Sequence, residues 1–121
     1  MIVDTLIELL ESFGYPVYRQ GSLQDDEGYP ATFFTFWNNS GDGLHHYDNA
    51  DFSVEYDFDV NVYSNDPEVT YSLLDEARAL LKDNGWIANG RGYDLPTDEP
   101  THTGRGFNAV YVDYNVTDNN D

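Results

Sequence analysis

Three patterns in the 121-residue sequence predict an α+β fold of two layers, with two helices on one face of a mostly antiparallel sheet. Apolar residues recur at intervals of three and four in residues 2–13 and again in residues 67–84, which is the spacing of an amphipathic helix. Residues 52–63 instead alternate between apolar and polar side chains, the period of a strand with one buried face. Two such helices can cover one sheet face, so the second face is left for solvent or another subunit.

The first helix is predicted over residues 2–13. Gly14 and Pro16 follow at once, and both residue types end helices. The segment VYRQ, residues 17–20, has the composition of a short strand. The polar and acidic residues 21–30 that come next predict a loop.

Two further strands are predicted before the second helix. The segment ATFFTFW, residues 31–37, is rich in β-branched and aromatic residues, and a long turn-rich connection separates it from the strand at 52–63. Asp66 or Asn65 can cap the second helix, and Pro67 suits its first position.

A final antiparallel pair is predicted at residues 86–93 and 106–116, with the polar, proline-rich residues 94–105 between them lacking regular structure. The element order is therefore α-β-β-β-α-β-β. Because the sequence contains no internal repeat and no linker, residues 1–116 are predicted to form one domain, with residues 117–121 as a loose acidic tail.

Charge and composition restrict the classes of function. The chain carries 23 acidic and 5 basic residues, a formal net charge of −18, so it lacks the cations that neutralise phosphates in nucleic-acid-binding proteins. It has no cysteine, which excludes disulfides and thiolate metal sites. The start of the chain has acidic residues and no basic region, and no apolar run reaches about 20 residues, so we expect neither a signal peptide nor a membrane partner.

The polar side of the long strand carries three carboxylates, Glu55, Asp57 and Asp59. Same-face residues of a strand lie about 7 Å apart. One Ca²⁺ with ligand bonds of about 2.4 Å cannot bridge all three. A solvated sheet face is the simplest interpretation. A catalytic carboxylate pair would need a cleft and unlike environments, of which the sequence gives no sign. We therefore predict no catalytic residue, no metal and no cofactor, although a small acidic enzyme is one class of function to test.

The remaining candidates are histidines and arginines. His45, His46 and Asp48 are interpreted as exposed loop residues, and His102 as the partner in a hydrogen bond that stabilises the fold.

Arg91 and Arg105 each stand between two glycines and are two of only 5 basic residues. Because arginine forms bidentate pairs with carboxylates, we predict an intersubunit contact for at least one of them.

Aromatic side chains beyond those that two short helices can cover predict an assembly interface. The candidates are Tyr18, Tyr29, Phe34, Phe36, Tyr47, Tyr63, Tyr93 and Tyr114.

The layout, with the segments VEYDFDVNVYS, LLDEARALLKDNGW and DLPTDEPTHTGRGF, resembles the small tail-completion or tail-terminator proteins of long-tailed bacteriophages and prophages. The resemblance implies a structural protein with no active site, present in the virion tail and in the bacterial host cytoplasm during assembly. Such proteins form a ring, typically a hexamer, that caps the tail tube and meets the head connector. The implied partners are therefore further copies, the tail-tube protein and the head-connector protein, with DNA passing through unbound.

Within such a ring, the face that carries Glu55, Asp57 and Asp59 is a candidate lining of the channel, since a negative wall offers DNA no cations to replace its counterions. The alternative is an acidic DNA mimic that inhibits a DNA-binding enzyme, because closely set carboxylates can imitate phosphates. Size separates the two: a mimic is a monomer or dimer, whereas a terminator forms rings.

Overall fold

The computed structural model describes residues 2–19, 30–39, 54–97 and 100–113. The two helices and five strands follow the predicted order, and both the element order and the α+β class are confirmed. Their bounds are α1 Ile2–Glu11, β1 Val17–Arg19, β2 Thr32–Asn38, β3 Val54–Ser64, α2 Pro67–Asp83, β4 Ile87–Leu95 and β5 Thr103–Asp113.

The strands form one sheet in the order β1-β2-β3-β5-β4. β1 runs parallel to β2, and the other neighbouring pairs are antiparallel. The long strand β3 lies at the centre, and β1 and β4 are the edges. Neither helix in these ranges is long and apolar enough to cross a membrane.

Both helices pack on the same face of this sheet, as predicted, and we call it the helix-covered face. Their apolar sides and alternate residues of β2, β3 and β5 form one core. Each fully buried Leu or Phe stabilises the fold by roughly 1.5–3 kcal/mol. The fully or almost fully buried members are Leu6, Leu10, Phe34, Phe36, Phe58, Val60, Val62, Leu73, Leu74, Ala77, Leu81, Trp86, Phe107 and Ala109.

The second helix begins and ends with side-chain and backbone caps. Asp66, and not Asn65, is the N-cap: its carboxylate accepts a hydrogen bond from the Glu68 amide at 3.0 Å, and Pro67 occupies the first turn. At the other end, Gly85 has a φ of 90°, and the Trp86 amide donates to the Leu81 carbonyl at 2.9 Å. This turn directs Trp86 back into the core, 5.9 Å from the ring of Phe58.

Two sequence-based expectations were wrong. Residues 94–105 are not wholly irregular, because β4 extends to Leu95 and β5 begins at Thr103. Pairing of β5 with β3 along its whole length overrides the weak strand preference of glycine and aspartate in this segment. Phe34 and Phe36, named as interface aromatics, are buried instead, because β2 lies inside the sheet and turns both rings toward the helices.

Several predictions fall outside the described residues. These are the loop group His45, His46 and Asp48, the aromatics Tyr29, Tyr47 and Tyr114, and the tail at residues 117–121.

Candidate functional site: the open face of the sheet

The sheet face opposite the helices, which we call the open face, carries the three predicted carboxylates. Because Phe58 and Val60 on β3 are buried against the helices, their neighbours along the strand point the other way. Glu55, Asp57 and Asp59 therefore share the open face, and each is half-buried. The sequence predicted this placement correctly but did not predict what surrounds the carboxylates.

Two asparagine side chains, one on β5 and one just after β2, hydrogen-bond to Asp57, and the first of them also to Asp59. Asn108 on β5 lies directly opposite Asp59. Its side-chain nitrogen lies 2.6 Å from Asp57 Oδ1 and 3.2 Å from Asp59 Oδ1. Asn39, just after β2, donates to Asp57 Oδ1 at 3.2 Å. These amides are neutral, so they satisfy carboxylate oxygens without cancelling the negative charge.

A further asparagine fixes the orientation of Asn108. Asn89 on β4 donates to Asn108 Oδ1 at 2.7 Å. Because that oxygen is occupied, the Asn108 NH₂ group must face the carboxylates. We call Asn39, Asp57, Asp59, Asn89 and Asn108 the amide ladder; it crosses from the end of β2 to β4, about 14 Å at about 4.8 Å per strand.

The end of the open face where β3 finishes is aromatic. Phe33 and Tyr63 stack with their ring centroids 5.3 Å apart, and Tyr18 meets Phe33 edge-on at 5.9 Å. Tyr63 lies so close to β5 that a Cβ added to Gly104 would be 2.6 Å from its ring. Glycine at this position thus allows the aromatic ring to cover the backbone of the neighbouring strand.

His102 joins this aromatic end to the start of β2. Its Nε2 lies 2.8 Å from the Pro30 carbonyl oxygen, and its Nδ1 lies 2.9 Å from Thr101 Oγ1. The hydrogen bond predicted for this histidine is therefore present, between residues that are 72 positions apart in sequence.

Tyr93 on β4 connects the aromatic end to the amide ladder. Partial burial raises the pKa of the Tyr93 phenol above 10.0, and the nearby Asp59 and Tyr63 raise that pKa further. The phenol consequently remains protonated at neutral pH, so it keeps a hydrogen-bond donor near Asp59 on the open face.

The two arginines predicted as subunit contacts have different surroundings. Arg91 is exposed and stands between Gly90 and Gly92, which have φ values of 70° and 107°. The pairing of β4 with β5 shifts register between Asn89 and Tyr93, so Arg91 occupies a bulge on the edge of the sheet.

Arg105 is held within its own chain. Its Nη1 lies 2.6 Å from Asp94 Oδ1, its guanidinium carbon lies 4.6 Å from the centre of the Tyr71 ring, and its side chain is only 17% exposed. These contacts already use the charge and the flat face of the guanidinium. Of the two arginines, Arg91 is thus the more accessible to a neighbouring subunit.

A cavity of about 350 Å³ lies beside Arg105, between the start of α2 and the β4–β5 hairpin. In its wall, the hydroxyls of Thr70 and Thr103 are 2.8 Å apart. Over the described ranges, no three His, Cys, Asp or Glu side chains are grouped so that they could hold a metal ion.

Comparison with models of known protein families gave no match, and no curated protein matched the sequence. The candidate site therefore rests on the geometry of the chain itself.

Proposed function

We propose that this chain is a structural protein of a phage or prophage tail, a terminator that caps the tail tube as a ring and meets the head connector. The observation that supports this function best is the open face of the sheet. It is ordered by the amide ladder and the aromatic contacts, and it retains its negative charge. A surface of this kind suits the wall of a channel through which DNA slides without binding.

The physical argument concerns counterions. DNA binds proteins largely by exchanging its condensed cations for Lys and Arg side chains. Asp57 and Asp59 accept hydrogen bonds from the neutral amide of Asn108 and offer no cation for this exchange. Both carboxylates are half-buried, so their charge lies close to the surface of the sheet.

The first experiment tests the ring. Negative-stain images of the purified chain mixed with the tail-tube protein encoded in the same gene cluster should show rings that close one end of each tube. Bare tube ends would contradict the proposal. A monomer or dimer that blocks a DNA-binding enzyme would instead establish the DNA-mimic alternative.

The second experiment tests the channel wall. Replacing Glu55, Asp57 and Asp59 with Lys should slow or stop DNA release from assembled particles, because the wall would then supply cations to the phosphates. A second variant carries Glu55→Gln, Asp57→Asn and Asp59→Asn. It keeps the side-chain shapes, so it separates the loss of charge from damage to the fold.

A control carries the same change of charge on the helix layer. Glu68, Glu76 and Asp83 are exposed on α2, and their replacement with Lys should leave DNA release normal. Normal release from particles that carry the open-face Lys variant would refute the channel-wall role while leaving the ring proposal in place.

A further inference from the structure

The basic residues of this acidic chain are concentrated at one edge of the sheet. Of the 5 in the sequence, Arg19 lies on β1, while the other four lie on α2, β4 and β5. These four are Arg78, Lys82, Arg91 and Arg105. The acidic residues of the same three elements are Glu68, Asp75, Glu76, Asp83, Asp94 and Asp113. This region is therefore close to neutral, whereas the chain as a whole has a net charge of −18.

One flank of this region, formed by one side of α2 and the bulge in β4, carries three of its four cations. On α2, Arg78 and Lys82 share a side of the helix with Glu68 and Asp75. Glu76 and Asp83 lie at least about 100° around the helix from both cations. Arg78 Nη2 donates to the Gly90 carbonyl at 2.6 Å, and Arg91 is the next residue, so this side of α2 and the bulge in β4 form one continuous surface. Three cations, Arg78, Lys82 and Arg91, thus stand beside two carboxylates on this flank.

Exposed apolar side chains lie along the same edge. Tyr71 on α2 is 52% exposed on this flank, whereas Ile87 and Tyr93, 51% and 43% exposed, lie on the open-face side of β4, because they pair with Val110 and Gly106. In the described ranges β4 pairs with a strand on one side only. Aromatic residues and arginine beside an open strand edge have the composition of a protein interface. We call Tyr71, Arg78, Lys82 and Arg91 the β4 edge surface.

The opposite end of the molecule has the complementary charge. Asp4, Glu8 and Glu11 are all exposed on α1, and they occupy one side of the helix at spacings of four and three. No basic residue lies in this helix. Helix α1 packs beside β1, at the far edge of the sheet from β4.

We propose that the β4 edge surface binds the acidic side of α1 in a second copy of this chain; this inference rests on the proposed ring function and names its subunit contact. Two copies with a net charge of −18 each repel one another in most orientations. Only an orientation that brings the cations of the β4 edge surface against an acidic patch converts the repulsion into attraction. Because the two surfaces differ and lie at opposite ends, the contact is head-to-tail, and repeated copies form the proposed ring when the rotation between neighbours closes.

The test reverses the charge on each side of the contact in a separate variant. An edge variant carries Lys82→Glu and Arg91→Glu, and a helix variant carries Glu8→Lys and Glu11→Lys; all four positions are exposed. Sedimentation at about 0.15 M salt, where a Debye length of about 8 Å screens the repulsion between whole chains but not between charges in contact, and at chain concentrations up to about 1 mM should show wild-type association. Each variant alone should associate at least about tenfold more weakly, because like charges then face each other.

Mixing the two variants gives the decisive result. The reversed edge of one then faces the reversed helix of the other, so an equimolar mixture should recover wild-type association in alternating assemblies. Arg19→Glu and Glu76→Lys are the controls, since each makes one charge reversal of the sign that the edge or the helix variant carries twice, at an exposed position outside the contact, and both should associate as wild type does.

Three outcomes would overturn the inference: a wild-type chain that stays monomeric under these conditions, variants that associate normally, or a mixture that does not recover. Normal rings of the edge variant on tail tubes would reject this contact and leave the proposed function standing. Recovery in the mixture without any capping of tubes would support the contact and remove the tail function.

Discussion

The two faces of the sheet are ordered by different forces, although alternate residues of the same strands supply them. On the helix-covered face, Phe58 and Val60 are excluded from water and packed against the helices. On the open face, Asp57 and Asp59, their neighbours along β3, accept hydrogen bonds from an amide of β5. Apolar burial is non-directional, whereas these hydrogen bonds need Asn108 opposite Asp59.

The two faces therefore contribute differently to folding. The helix-covered face supplies most of the free energy of folding, because it removes the most apolar area from water. The open face contributes less free energy but also opposes a shift of two residues, which keeps every side chain on its face and yet moves Asn108 away from Asp59.

The largest effect should come from the core. Phe58 is fully buried, 6.3 Å from the ring of Phe36 and 5.9 Å from that of Trp86. Phe58→Ala should lower the free energy of unfolding by about 3–5 kcal/mol, as measured by urea denaturation. Trp37→Ala on the open face is the comparison, and it should lower that free energy by less, about 1–2 kcal/mol, because Trp37 is 51% exposed. Equal losses in the free energy of unfolding from the two substitutions would contradict the conclusion that the helix-covered face supplies most of the stability.

The amide ladder should give the next largest effect. Asn108→Asp removes the donor to Asp57 and Asp59 and adds a third carboxylate between them, so the free energy of unfolding should fall by about 1–3 kcal/mol. Because part of the cost is repulsion between charges, it should shrink when denaturation is repeated in about 1 M salt. Asn65→Asp makes the same chemical change in an exposed turn and should be nearly neutral. A ladder variant as stable as this control would show that the hydrogen bonds do not stabilise the open face.

The aromatic end should be sensitive to a single methyl group. Gly104→Ala places a Cβ 2.6 Å from the Tyr63 ring, and the free energy of unfolding should fall by about 1–2 kcal/mol as the ring is displaced. The Tyr63→Leu background tests the cause, because there the same glycine substitution should cost much less. An unchanged cost in that double-mutant cycle would assign the effect to the backbone and not to the ring.

The smallest effect is a dependence on alkaline pH. Burial, and after it Asp59 and Tyr63, raise the pKa of Tyr93 above 10.0, so the folded chain holds this proton more tightly than the unfolded chain. Its contribution to stability is therefore complete below pH 10.0 and is lost as the pH rises through the raised pKa. Between about pH 9 and about pH 11, wild type should lose more stability than Tyr93→Phe in parallel urea denaturations.

Asp59→Asn should reduce this alkaline loss, because it removes one cause of the raised pKa of Tyr93. Identical dependences of stability on pH for wild type and Tyr93→Phe would show that folding does not raise the pKa of Tyr93.

Local sequence patterns determined the elements of this fold and the face on which each residue of β3 lies. The alternation through Glu55, Asp57 and Asp59 placed the carboxylates opposite the core, and the apolar spacing of α1 and α2 fixed which side of each helix is buried. These features depend on the 2.0 and 3.6 residue periods of strand and helix, which are properties of the neighbouring chain alone.

Only the tertiary structure decided which residues meet across the sheet. Because β5 inserts between β3 and β4, Asn108 reaches Asp57 and Asp59, and it does so from about 50 residues away in sequence. The same pairing lengthens both arms of the last hairpin and draws Arg105 into a contact with Asp94 of its own chain. Strand order and register follow from free energy summed over many long-range contacts, and no local pattern in the sequence contains that sum.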